Sequence, residues 1–213
     1  MISSIMHARW RFLPLSILLL LPQLPARAQR NLAGAVRTKL ALERLNVLGS
    51  VMTIAAHPDD ENAALLAYVA RGRRARAAFL ALTRGDGGQN LIGSEQGELL
   101  GLIRTQELLA ARAIDGAEQF FTRAIDFGFS KTADETFQKW GHDAILADVV
   151  WTVRRFRPDV IVVGFNLGHG HHLAAGILAR EAFAAAADKT RFPEQLRWVQ
   201  PWQARRLLAG GFS

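Results

Sequence analysis

Four short apolar runs, separated by segments with helical spacing of apolar residues, constrain the fold of this sequence more than any other feature. Short runs that are apolar throughout are typical of strands buried on both faces of a sheet. Strands that alternate with helices of about 12 to 18 residues predict an α/β fold with a mostly parallel sheet. The runs are residues 51–56, 76–83, 117–122 and 159–164, with a possible last strand at 206–209.

Groups that can carry chemistry follow each of these predicted strands. His57 follows the first strand, the glycine-rich loop 85–89 the second, Asp126 the third and the histidine cluster 169–172 the fourth. Asp126 lies in a stretch, residues 123–137, for which we predict irregular structure. Because ligands of open parallel sheets sit at the carboxyl ends of the strands, where the strand order reverses, we expect the four groups at one sheet edge.

The first group, residues 57–61, reads His-Pro-Asp-Asp-Glu and opens a predicted helix over residues 58–70. Proline and acids are favoured in a first helical turn, so a well-charged helix start is one interpretation. It does not explain the histidine, nor three neighbouring acids at the mouth of a buried strand. A cation would ease their mutual repulsion, and the stretch therefore predicts a metal site.

The second group, Asn-Leu-Gly-His-Gly-His-His at residues 166–172, holds three of the six histidines. Such a cluster is more typical of a metal or catalytic site than of a polar loop or a processing scar. Since the chain has no cysteine, a metal needs histidine and carboxylate ligands. Two histidines and one carboxylate with an open fourth position suit catalytic zinc, but these residues leave open which aspartate is ligand and which is base.

Four motifs lie between about residue 51 and residue 187. They are Ala-His-Pro-Asp-Asp-Glu at 56–61, Leu-Thr-Arg-Gly-Asp-Gly-Gly at 82–88, Arg104 with Glu107 on a predicted helix, and His-Gly-His-His at 169–172. Together they resemble the PIG-L (LmbE-like) family of zinc-dependent N-deacetylases. The resemblance implies a Rossmann-like three-layer sandwich, which agrees with the strand pattern.

The resemblance also implies a role for each matching residue. His57, Asp60 and His172 would bind one zinc ion, Asp59 would be the general base, and His169 the acid or electrostatic partner of the tetrahedral intermediate. Family members typically hydrolyse the acetamide of an N-acetylglucosamine unit and release acetate. The expected activity is metal-dependent hydrolysis of a non-peptide amide bond, in a small-molecule or glycan substrate with an acetylamino group.

Three further residues are candidate substrate contacts. Asp86 in the glycine-rich loop would bind a sugar hydroxyl or cap a turn, and Asp126 would contact a sugar hydroxyl. Arg104 would orient the substrate, or form a plain surface ion pair with Glu107.

The last motif departs from the common family form, His-Pro-Asp-His, because Gly170 and His171 replace the proline and the aspartate. The ligand spacing survives, but the group that would orient the ligating histidines is altered. His171 is thus either a support for the site, a competitor for the metal or a bystander. Glu61 has no expected role beyond the helix start.

Residues 1–28 are predicted to be a signal peptide, with a basic start, an apolar stretch at 12–21 and Ala-Arg-Ala before the cleavage point. An uncleaved membrane anchor is the alternative, but the apolar stretch is short for a membrane span, which needs about 20 residues, and this favours cleavage. Cleavage would leave one domain, residues 29–213, in a periplasmic or extracellular protein with no stable membrane span. Family catalytic domains often run further, which leaves a longer parent protein open.

Other features of the sequence bear on its partners and on alternative functions. The densest basic run, residues 71–76, would lie at the opposite sheet edge and has no aromatic or recognition-helix pattern, so we predict no nucleic-acid partner. A non-catalytic glycan-binding domain that keeps the fold is one alternative function. A metallo-hydrolase of esters or phosphates is another, although a two-metal phosphatase needs more carboxylates than the motifs supply.

Overall fold

A five-stranded parallel sheet forms the centre of the protein in a computed structural model, which describes residues 34–88, 90–164 and 168–210. The strands are β1 (Ser50–Ala55), β2 (Arg76–Ala81), β3 (Glu118–Phe121), β4 (Val160–Gly164) and β5 (Arg206–Gly210). Their order is β3-β2-β1-β4-β5, and each neighbouring pair is parallel. The predicted α/β class is confirmed, and the strand order reverses between β1 and β4.

Helices cover both faces of the sheet, which gives the expected Rossmann-like three-layer sandwich. They are α1 (Ala35–Arg44), α2 (Ala63–Ala67) with a π-helical turn (Tyr68–Gly72), α3 (Glu98–Asp115), α4 (Ala133–Trp140), α5 (His142–Phe156), α6 (Gly170–Ala185) and a 3₁₀ turn (Pro193–Arg197). Leu66 of α2 and Leu108 of α3 pack with Phe79 on one face of the sheet. Helices α4, α5 and α6 pack on the other face.

Alternate strand residues feed these two hydrophobic cores. Ile54 and Leu80 join the core under α5 and α6, whereas Ala55 and Phe79 join the core under α2 and α3. Successive side chains of a strand point to opposite faces, which explains why β1 and β2 are apolar on both faces apart from Ser50, Thr53 and Arg76. The carboxyl ends of β1 and β4 are therefore held by packing on both sides.

The helix predicted over residues 58–70 is wrong in its first turn, because α2 begins only at Ala63. The Asp60 carboxylate accepts a hydrogen bond from the backbone N–H of His57 at 2.7 Å, and the backbone N–H of Asp60 donates to the His57 carbonyl at 3.3 Å. Side-chain bonds of this kind compete with helix formation. Asn62 then caps α2 by accepting from the N–H of Leu65 at 2.8 Å.

The irregular structure predicted for residues 123–137 is wrong at its end, where α4 begins. The Thr132 hydroxyl accepts from the N–H of Glu135 at 3.1 Å and caps this helix. Threonine followed three residues later by glutamate is a helix-start signature, and it would have predicted α4 from the sequence.

The predicted signal peptide, residues 1–28, lies outside the described residues, so export stays a prediction. In the part of the chain that the structure describes, no helix has both the length and the hydrophobicity needed to cross a bilayer.

Candidate metal centre

The two histidine-bearing groups meet where the strand order reverses. His57 follows β1, and His169, His171 and His172 lie at the start of α6 after β4. Strands β1 and β4 are neighbours, with Ile54 paired to Val163 near their carboxyl ends. The ring centroids of His57 and His172 are 5.0 Å apart. For these two of the four groups, the expected placement at one sheet edge is confirmed.

Three side-chain atoms at this point have the spacing of metal ligands. His57 Nδ1 lies 3.1 Å from Asp60 Oδ2 and 3.1 Å from His172 Nε2, and His172 Nε2 lies 3.3 Å from Asp60 Oδ2. Ligands of tetrahedral zinc lie about 2.0–2.1 Å from the ion, which places them roughly 3.3–3.4 Å from one another. The group is therefore able to hold a metal ion with little rearrangement.

The charges in this group also suit a cation. Burial alone would raise the pKa of the Asp60 carboxyl, but hydrogen bonds with His172 and His57 outweigh it and hold the pKa well below its usual range. Burial alone would lower the pKa of His57, but its hydrogen bond to Asp60 and the charge of that carboxylate raise it. Asp60 is thus a carboxylate at neutral pH, and its negative charge favours a cation at this point.

His169 lies beside the group and caps α6. Its Nδ1 accepts a hydrogen bond from the backbone N–H of His171 at 3.1 Å, so the neutral ring carries its proton on Nε2. Its ring centroid is 5.2 Å from that of His57 and 5.2 Å from that of His172. Burial lowers the pKa of His169, and the charges of His57 and His172 lower it further. A neutral donor fits this environment better than an imidazolium.

His171 contacts His57 at the ring nitrogen that does not face Asp60 and His172. Its side chain is fully buried, and its Nδ1 lies 2.9 Å from His57 Nε2. Burial, followed by the charges of His57 and His169, lowers the pKa of His171 to about 3. It also belongs to a second group, with His57 and His169, that is close enough to hold a metal. The sequence left its role open, because nothing in the spacing shows which nitrogen it faces.

Asp59, the predicted base, pairs with a residue outside the group of His57, Asp60 and His172. Its side chain is 72% exposed and lies 3.3 Å from Nη2 of Arg104. The same guanidinium contacts Glu107 at 3.3 Å, so the plain ion pair considered for these two residues is present. Asp59 and Arg104 line an open groove between the first motif and α3, whose other residues are Pro58, Glu61, Ala63, Glu107, Leu108 and Ala111. The catalytic role of Asp59 stays a prediction.

The other two predicted substrate contacts are placed differently. Asp126 is buried beside the histidines, with one carboxylate oxygen 3.8 Å from His57 Nε2 and the other 3.8 Å from His171 Nδ1. It also accepts from the N–H of Gly128 at 2.8 Å. The Asp86 carboxylate lies against Gly101 of α3 so closely that a Cβ there would collide with it. These are contacts within the protein, so the sugar-binding roles of Asp86 and Asp126 stay predictions.

Glu61 has a partner that the sequence did not reveal. Its carboxylate lies 3.2 Å from Nη2 of Arg112, whose side chain is 4% exposed and also pairs with Asp115 at 2.6 Å. This buried ion cluster ties the residue after Asp60 to the last turns of α3. Since Arg112 is distant in sequence, no local pattern predicts the pair.

The sequence matches the family model described as PIG-L: GlcNAc-PI de-N-acetylase over residues 52–183. It is 28% identical over 162 residues to Mycothiol S-conjugate amidase of Streptomyces coelicolor, covering 68% of this chain and 55% of the relative. It is 31% identical over 181 residues to 1D-myo-inositol 2-acetamido-2-deoxy-alpha-D-glucopyranoside deacetylase of Thermobifida fusca, covering 75% and 60%. The chain thus spans between half and two thirds of the length of these relatives.

Solved structures agree on the fold. N,N'-diacetylchitobiose deacetylase of Pyrococcus horikoshii has a TM-score of 0.58 at 16% identity, with 80% of this chain and 65% of that chain covered. The 4-carboxy-2-hydroxymuconate hydratase of Pseudomonas putida has the same score at 19% identity, with 75% and 64% covered. A hydratase with the same fold means that fold alone does not decide the activity. The family match over most of the sheet and α6 is the stronger finding, and the chain belongs to the PIG-L family.

Proposed function

We propose that this protein is a zinc-dependent hydrolase of non-peptide amide bonds, and that it removes the acetyl group from an N-acetylglucosamine-containing substrate. The observation that carries the proposal is the metal group of His57, Asp60 and His172, whose ligand atoms lie 3.1–3.3 Å apart. Relatives named as an amidase and as an acetamido-sugar deacetylase support the substrate class.

The donor set supports zinc over the harder divalent ions. Two imidazole nitrogens and one carboxylate oxygen suit zinc, whereas magnesium and calcium favour oxygen ligands throughout. When bound, zinc supplies Lewis acidity and lowers the pKa of a bound water to about 7.

The chain's own residues would do the rest of the chemistry. Asp59 would take a proton from the attacking water, and the amine would leave once its nitrogen is protonated. His169, with Nδ1 occupied by the His171 N–H, would present its Nε2–H to the oxygen that gains negative charge. The products are acetate and a free amine. Arg104 in the adjacent groove would orient the substrate.

Acetate release by purified protein tests the proposal. The protein is stripped of metal, reloaded with one equivalent of zinc, and given N-acetylglucosamine conjugates with different aglycones. We expect zinc-dependent acetate release from at least one conjugate, and none after removal of the metal. No release from a broad panel by protein that has bound zinc would refute the deacetylase proposal.

One observation favours a second function, a glycan-binding domain without turnover. The exposed side chain of Asp59 is in an ion pair with Arg104 rather than directed at the metal group. In such a domain Asp59→Ala would leave glycan affinity intact, and no acetate would form. Calorimetric titration of the same conjugates, run beside the acetate assay, separates the two functions.

We also propose that the protein is exported through residues 1–28. The basic start, apolar stretch and Ala-Arg-Ala site support this. Mass spectrometry of the full-length product recovered from the periplasm or medium should show a mature protein that begins at Gln29. An intact N-terminus in the cytoplasmic fraction would contradict it.

A further inference from the structure

The second ring nitrogen of His57 has a partner that the roles assigned so far do not use. His57 Nδ1 faces Asp60 and His172, whereas His57 Nε2 lies 2.9 Å from Nδ1 of His171. A neutral imidazole that gives Nδ1 to a metal carries its proton on Nε2. In that state His57 is the donor, and His171 must accept at Nδ1.

The surroundings of His171 fix it as that acceptor. Its ring is fully buried, and its Nε2 has no hydrogen-bond partner among the described residues. Phe127 meets the ring edge-on at 4.4 Å, and the Trp140 ring centroid lies 4.6 Å away. With Nδ1 accepting, the His171 proton sits on Nε2 against these aromatic rings, where only a weak N–H···π contact is available.

The start of α6 holds His171 in this place through the backbone. The N–H of Gly170 donates to the Ser130 carbonyl at 2.8 Å. A Cβ at Gly170 would collide with the Thr132 carbonyl and the Ser130 hydroxyl, so only glycine allows this approach. Trp140 is itself anchored, because its indole N–H donates to the Ile125 carbonyl at 2.9 Å.

No other described group takes the His57 Nε2 proton. The nearest carboxylate, Asp126, lies 3.8 Å from that nitrogen, which is too long for a hydrogen bond. A histidine that binds a metal through one ring nitrogen normally donates a hydrogen bond from the other. The acceptor of that bond sets the tautomer and the orientation of the ring.

We propose that His171 is a positioning residue that holds His57 in its metal-binding tautomer and orientation, through a hydrogen bond from His57 Nε2–H to His171 Nδ1. The inference rests on the ligand role of His57 in the proposed function. It gives a neutral imidazole, rather than a carboxylate, the task of supporting the metal ligand.

Zinc affinity tests this without any assay of turnover. His171→Phe keeps an aromatic ring in the pocket but removes the acceptor, and His171→Leu removes it with a smaller side chain. His171→Asn keeps an acceptor, because its amide oxygen stands as far from the backbone as Nδ1 does. Loss of such a partner typically weakens metal binding 10- to 100-fold, so we expect about that loss in the Phe and Leu variants and about threefold or less in Asn.

The measurement uses tag-free protein and competition with a chromophoric chelator. His142→Phe is the matched control, because His142 contacts Asp143 and Glu181 and lies outside the metal group. Its zinc affinity should equal that of the wild type. The cobalt-substituted proteins add a spectroscopic readout, in which the visible bands of the Phe and Leu variants should shift while those of the Asn and His142 variants do not.

Thermal melting of the metal-free proteins separates positioning from structural support. The Phe and Leu variants both lose the His57–His171 contact in the metal-free protein as well, and Leu also leaves a void in a buried pocket, so we expect a modest fall of the apo midpoint and compare zinc affinity at a temperature where every variant is folded. Unchanged zinc affinity and unchanged cobalt spectra in folded Phe or Leu variants would overturn the inference. A wild type that binds zinc, loses affinity in these variants, yet releases no acetate would refute the deacetylase proposal and support this one.

Discussion

Two neighbouring parts of the site are built in different ways. The metal group of His57, Asp60 and His172 lies in the crevice between β1 and β4, partly buried and with its three ligand atoms already in mutual contact. The groove that holds Asp59 and Arg104 lies on the surface of α3, and the Asp59 side chain is 72% exposed. One part is arranged by backbone packing, whereas the other rests on an exposed ion pair.

The contrast indicates which part has its catalytic geometry before substrate binds and which part adopts it only on binding. Strands packed on both faces fix His57, and the close approach of Gly170 to residues 130–132 fixes the start of α6. An exposed ion pair contributes about 0–1 kcal/mol and exchanges readily. The metal group is thus preformed, and we expect Asp59 to turn toward the reaction only when substrate fills the groove, as catalytic contacts often tighten on binding.

Removal of a metal ligand should have the largest effect. Asp60→Asn withdraws the carboxylate that contacts both histidines. Because loss of a mere supporting group weakens metal binding 10- to 100-fold, loss of the ligand should weaken it more than about 100-fold. Zinc competition and the acetate assay measure this, and acetate release should fall to background at stoichiometric zinc.

Asp143→Asn is the control for that variant, since Asp143 is an exposed acid near the start of α5. It should match the wild type in both assays. Near-normal zinc affinity in Asp60→Asn would show that Asp60 is not a zinc ligand. The group of His57, Asp60 and His172 would then not be a preformed metal site.

The next largest effect should fall on the groove side. Asp59→Asn keeps the size of the side chain but removes its ability to take a proton, and general-base catalysis contributes typically about 10²- to 10⁴-fold. We expect kcat to fall by that order, with zinc affinity within about twofold of the wild type because Asp59 contacts Arg104 and not the ligands. Steady-state kinetics and metal titration on one preparation check both halves.

Equal kcat values in Asp59→Asn and wild type would show that Asp59 is not the general base. A marked loss of zinc affinity in Asp59→Asn would show instead that the groove and the metal group do not act independently.

How much of this the sequence predicts depends on the range of the interactions. Buried strands and glycine-flanked histidines leave local patterns, so the sheet, its parallel class and the meeting of His57 with His172 follow from the sequence. Contacts set by three-dimensional packing leave none. The Glu61–Arg112 pair, the burial of Asp126 beside His171, and the 2.9 Å contact from His57 to His171 needed the structure.

Local competition explains the wrong helix start predicted in the first motif. Residues 58–61 have the composition of a helix start, yet Asp60 bonds back to the His57 N–H and delays the helix to Ala63. The same carboxylate that contacts the two histidines therefore also forms the turn. Composition favours the helix, and the geometry of the metal group decides against it.

A methyl group added at Gly170, at the start of α6, should lower the free energy of unfolding moderately. Gly170→Ala adds a methyl group that collides with the Thr132 carbonyl, and overpacking of this kind typically destabilises by about 1–3 kcal/mol. Urea denaturation of the metal-free protein measures it. Gly49→Ala is the matched control, because a Cβ there meets no atom within 4 Å and its stability should change little. Equal stability of both variants would show that the start of α6 is not tightly docked.

The smallest effect should come from Arg104, which Asp59 and Glu107 share. Arg104→Gln removes a cation whose exposed pairs are each worth about 0–1 kcal/mol, so zinc affinity and apo stability should stay close to the wild type. If Arg104 orients the substrate, KM should rise by up to about fivefold, which corresponds to about 1 kcal/mol for an exposed ion pair, while kcat changes less. Arg123→Gln is the control, because it breaks another exposed arginine pair, with Asp148, outside the groove and should leave KM unchanged. A KM that moves equally in both variants would reduce Arg104 to a surface ion pair, whereas a rise confined to Arg104→Gln would make the exposed groove the part of the site that selects the substrate.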